Sequence, residues 1–133
     1  MKNIILASAA FGLAFIGSVA TASAGGAVSL CNLETLHGTY VYSGFSEKSA
    51  SAGMEYYDGK GKIISLQQTA GSAGTLVNGT YTVNGCIATT TYSNGVYTNY
   101  LSPTGDTFTW AAVSGSTEAG DERRFSTMNL LAK

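Results

Sequence analysis

The stretch Ala50-Ser51-Ala52-Gly53-Met54-Glu55-Tyr56-Tyr57-Asp58-Gly59-Lys60-Gly61-Lys62-Ile63-Ile64-Ser65-Leu66-Gln67-Gln68-Thr69 decides the fold class. Its arms, 50–57 and 62–69, carry the β-branched and aromatic residues that suit a pleated, half-buried surface. Between them Asp58-Gly59-Lys60-Gly61 supplies the positive-φ positions of a tight antiparallel hairpin. Working outward, the same alternation of strand and turn material recurs. Segments 38–45, 75–83, 86–92, 96–102, 107–113 and 123–131 read as further strands, with a bulge expected at Asn78-Gly79. Asn84-Gly85, Ser93-Asn94-Gly95 and Pro103-Thr104-Gly105-Asp106 separate them, and polar links run over 70–74 and 114–120. The only helical signal is one turn at 32–36, capped by Asn32. About eight short strands joined to their neighbours predict an all-β fold, a small antiparallel up-and-down barrel, which removes exposed sheet edges. A two-sheet β-sandwich with Greek-key crossings is the alternative.

The N-terminus reads differently. Lys2 precedes an apolar run over 4–19, and Ala22-Ser23-Ala24 forms a small-residue cleavage site. Residues 1–24 therefore predict a signal peptide cut after Ala24, leaving a single domain over 25–133. The run falls short of the roughly 20 residues that span a bilayer, so no membrane span is expected after signal removal. The predicted location is periplasmic or secreted. Beyond residue 24, six Lys/Arg face eight Asp/Glu, thinly spread. With no basic patch, nucleic acid is not an expected partner. An even cysteine count in an exported chain argues for one Cys31–Cys86 disulfide, with two buried thiols as the alternative.

Three words of the sequence resemble a family of small exported bacterial proteins of unknown function. They are Cys31 followed by Gly38-Thr39-Tyr40, then Tyr57-Asp58-Gly59-Lys60-Gly61, then Gly79-Thr80-Tyr81-Thr82-Val83-Asn84-Gly85-Cys86. A late Gly120 with Arg123 or Arg124 fills the family's Gly…Arg slot. The resemblance implies a barrel similar to the lipocalin or allene-oxide-cyclase type, and a fold of that kind does not fix a function. The paired Gly-Thr-Tyr words read as two strands that each begin after a backbone kink.

Chemistry-bearing residues are few. His37 is the only histidine, which excludes an ordinary zinc site. Asp58 lacks the ladder of oxygen ligands of a calcium loop and is explained by its turn. Asn78-Gly79-Thr80 matches a glycosylation sequon but reads as a plain turn. No metal, cofactor or catalytic residue is expected, and an enzyme is not favoured. Glu55 stands out: on a strand it shares a face with Tyr57, while Met54 and Tyr56 share the other. If it faced inward, its pKa would be raised unless Arg123 or Arg124 paired with it; on the outer wall it would simply be solvated. The aromatic residues are the richest feature. Candidates to line the interior are Tyr40, Tyr42, Glu55, Tyr56, Phe108, Trp110 and Arg123. The first functional expectation is an interior site for a small apolar ligand. The second is a non-catalytic structural or cell-surface interaction protein, with the barrel filled by side chains. The third, from the resemblance alone, is a cyclase or isomerase acting on a lipid-like substrate.

Overall fold

A computed structural model describes residues 30–132, so the signal peptide read over 1–24 lies outside the described residues. The chain forms eight strands: β1 (His37–Phe45), β2 (Ala50–Asp58), β3 (Lys62–Thr69), β4 (Thr75–Asn84), β5 (Ile87–Tyr92), β6 (Gly95–Leu101), β7 (Thr107–Ser114) and β8 (Ala119–Ser126). Each pairs antiparallel with its sequence neighbours, and β8 closes on β1 to complete an up-and-down barrel. Before β1 lies one 3₁₀ turn, Leu33–Thr35, whose N-cap Asn32 accepts from the backbone N–H groups of Glu34 and Thr35. No helix among the described residues is long and apolar enough to cross a membrane.

The hairpin chemistry explains the closure. Gly59 and Gly61 take φ of 73° and 103°, while Asp58 Oδ1 accepts from the N–H groups of Lys60 and Lys62 at 2.7 and 2.9 Å. Two sequence readings are corrected. The β3–β4 register runs without a shift past Asn78 and Gly79, and the β4–β5 register runs unbroken from Gly79, so there is no bulge there. Gly38 is a true kink (φ 110°), but its echo Gly79 is mid-strand and has ordinary φ. What requires glycine at 79 is the Thr91 carbonyl oxygen together with the Tyr92 ring, each 2.6 Å from an added Cβ. The last strand also begins at Ala119 rather than 123, because 119 and 120 pair with Phe45 and Gly44 of β1 and with Ala111 and Trp110 of β7. The apolar tail after Ser126 leaves the sheet. It is tied down where the Thr39 hydroxyl donates to the Met128 carbonyl at 2.6 Å and accepts from Leu130 N–H at 3.0 Å.

The two ends of the barrel differ. At one end the β2–β3, β4–β5 and β6–β7 turns meet the N-terminal strap of residues 31–36. The strap is fixed by the Cys31–Cys86 disulfide and by Tyr81 Oη, which lies 3.0 Å from both the Leu33 and Leu36 carbonyls. Arg124 donates to the Thr35 carbonyl (2.9 Å) and to Tyr40 Oη (3.0–3.1 Å), and pairs with Asp106 at 3.0 Å. Above the strap, Leu36, Tyr40, Tyr57, Ile63, Tyr81, Ala88, Leu101 and Phe108 pack a solid core. Its rings contact edge to face, Tyr57 lying 5.2 Å from both Tyr40 and Tyr81.

Arg124→Met, which keeps the apolar stem, is expected to cost about 2 kcal/mol, measured as a lower urea midpoint at unchanged m-value. Asp106→Asn should stay within about 0.5 kcal/mol, because that carboxylate is more than half exposed and its ion pair is well solvated.

Candidate functional site

Above the packed core the inward positions change character. While the space beside Gly53 and Gly120 is filled by the Tyr42 and Trp110 rings, Ser51 of β2, Thr90 of β5 and Asn99 of β6 are too small to fill the ring's width. They leave a cavity of about 440 Å³ that opens between the 46–49, 93–94 and 115–118 loops. Its walls are aromatic. Trp110 stands 6.1 Å from Tyr42 and 5.6 Å from Tyr97, and Tyr97 lies 6.0 Å from Tyr92, each pair edge to face. Trp110 reaches this position because a Cβ on Gly44 or Gly120 would collide with its ring.

Two carboxyl groups stand deep in the chamber. Glu55 on β2 is 8% exposed and Glu122 on β8 is 4% exposed. Glu55 accepts from Tyr92 Oη at 2.7 Å and from Tyr57 Oη at 2.9 Å. Glu122 Oε1 and Trp110 Nε1 are buried without a hydrogen-bond partner. Burial pushes the Glu122 carboxyl well above its ordinary value near 4.5, and the Glu55 charge pushes it further. Burial raises Glu55 too, opposed by Tyr92, by the nearby Ser65 hydroxyl and by Tyr57. The hydrogen-bond donors around Glu55 favour its charged form, and Glu122 lacks them. Of the two, Glu122 therefore holds its proton more tightly and Glu55 ionises first. Burial, then the carboxyl charges, hold the Tyr57 phenol well above its ordinary value, so it remains a donor.

Of the residues proposed from sequence, Tyr42, Glu55 and Trp110 line the chamber. Tyr40 and Phe108 point inward but belong to the packed core beneath. Tyr56 and Arg123 are corrected: strand alternation turns both outward, because Glu55 and Glu122 beside them face in. Nor does an arginine pair with Glu55. Arg123 is exposed on the outer wall, Arg124 is committed to Asp106 and the strap, and two tyrosines take the role instead. Sequence reasoning missed Glu122, Tyr92 and Tyr97. Alternation from Gly120, the small residue beside Trp110, would have placed Glu122 on the inner face.

No protein-family model matches the chain, and no curated protein matches it. Among solved structures it is similar to a redesigned beta barrel, mFAP1, bound to DFHBI. That match has 21% identity and a TM-score of 0.52, and covers 70% of this chain and 98% of that one. At this identity the likeness is one of fold, and it agrees with the closed β-barrel found here.

Proposed function

We propose that this is an exported small-molecule-binding protein, periplasmic or secreted, whose site is the open half of the barrel. The observation that carries the reading is the chamber itself. It is large enough for a small organic molecule, walled by Tyr42, Tyr92, Tyr97 and Trp110, and its lining includes three buried polar atoms that no protein group answers, Glu122 Oε1, Trp110 Nε1 and Ser51 Oγ. The purely apolar ligand expected from sequence is refined accordingly. Flat aromatic walls favour a planar body, and the deep polar atoms favour one that also brings a hydrogen-bond donor and an acceptor. The similar redesigned barrel bound to DFHBI supports the reading, as the disulfide supports an oxidising compartment.

Trp110 is the single tryptophan of the chain, so its indole N–H gives one resolved cross-peak in a ¹H–¹⁵N spectrum. Titration with 2-naphthalenemethanol, a planar neutral probe, is expected to shift that peak saturably. Trp110→Phe, which keeps a ring but removes the donor, should weaken binding three- to tenfold by calorimetry. An unmoved indole peak together with no heat of binding would reject the site.

A further inference from the structure

We propose that the chamber selects organic ammonium ligands: a planar aromatic body against the wall of Tyr42, Tyr97 and Trp110, with its protonated amine held by Glu55 and Glu122. This rests on the ligand-binding reading and names the chemical class that the site takes. Three observations converge on it. First, among the described residues neither carboxyl forms an ion pair; the one guanidinium on an inward position, Arg124, is engaged at the closed end, and Lys48 stands among the mouth residues. A buried carboxylate without a counter-cation is costly, and a ligand cation removes that cost. Second, Glu122 Oε1 is buried, unpartnered and borders the chamber, so an acceptor waits for a donor brought from outside. Third, the walls carry the aromatic rings of Tyr42, Tyr97 and Trp110, and a ring face attracts a cation in a desolvated site. An anion would meet Glu55, and a neutral apolar body would leave Glu122 Oε1 unanswered.

The groups around Glu122 fix the proton balance. From β1 it senses Tyr40 and Tyr42, from β2 Glu55 and Tyr57, and from β5 Tyr92. The phenols stay protonated, so the carboxyl pair is the group that titrates. When an ammonium enters, the proton that Glu122 retains passes to solvent and both carboxylates become charged. Uptake therefore releases up to one proton and tightens as the solution becomes less acid, until the amine itself deprotonates.

The test is isothermal titration calorimetry on the purified chain at pH 7 with three probes of one shape: 2-naphthylmethylamine, 2-naphthalenemethanol and 2-naphthoate. Repeating each in two buffers of different ionisation heat counts the protons released. The amine is expected to bind at least tenfold more tightly than the alcohol and to release a proton, with naphthoate weakest. Glu122→Gln is expected to abolish the proton release and reduce the amine's advantage. Equal affinity for amine and alcohol, or amine binding without any proton release, would overturn the ammonium assignment while leaving the chamber as a site. Failure of all three probes to bind would overturn the binding reading as well.

Discussion

Glu122→Gln is expected to make the protein more stable at pH 8 and to leave it near wild type below pH 4.5. The folded state raises the Glu122 pKa above its ordinary value near 4.5. Between those two values the native protein keeps a proton that the unfolded chain has released. Stability contributed by the protonated carboxyl is thus complete below about pH 4.5 and is lost as pH rises toward the folded value. The slope is about 1.4 kcal/mol per pH unit while the difference is one proton. Gln has the shape of the neutral acid and nothing to ionise, so it removes most of the slope. Glu55, raised by the same burial but restrained by its tyrosine donors, leaves a smaller residual dependence. Urea unfolding of both proteins across pH 4–8 checks this; parallel curves would mean that Glu122 ionises freely.

The second large effect concerns the opposite end of the barrel. Replacing both Cys31 and Cys86 by Ser opens a link between residues 55 apart in sequence. Chain-entropy reasoning for a loop of that length gives about 4 kcal/mol, a large part of a small domain's stability. The strap also loses its anchor beside fully buried Leu36, and Tyr81 depends on the strap's carbonyls. Equilibrium urea unfolding should show the full loss, and wild type with reductant should match the variant. The chamber lies at the other end, so the folded fraction should still bind 2-naphthalenemethanol with affinity within about twofold of wild type. A stability loss below about 1 kcal/mol would mean that Arg124 and Tyr81 hold the strap unaided.

The barrel was legible because its turns are chemically explicit. Asp58 through Gly61 and Asn84-Gly85 mark hairpins by backbone geometry alone, and near-neighbour hairpins leave little choice but a meander. The site was legible only in part, for reasons of phase. On β2 the run Met54-Glu55-Tyr56-Tyr57 offers an apolar or aromatic residue to each face, so Glu55 and Tyr56 compete for the interior until Tyr57 is seen in the core. On β8 the run Asp121-Glu122-Arg123-Arg124 is charged on both faces and carries no hydrophobic signal. Starting that strand at 123 hid Glu122. Whether the barrel is hollow depends on the summed size of inward residues, which needs every strand's phase at once. The outcome divides along the axis: large rings fill one half, while Ser51, Thr90 and Asn99 leave the other half open.

The most direct test of a chamber built around two linked carboxyls is a ¹³C-detected titration of the glutamate side-chain carboxyls, with Glu55 and Glu122 assigned by substitution. The structure predicts that Glu122 stays protonated well above pH 4.5 and that its curve changes when Glu55 is replaced by Gln. Two independent titrations at the ordinary carboxylate value would contradict it.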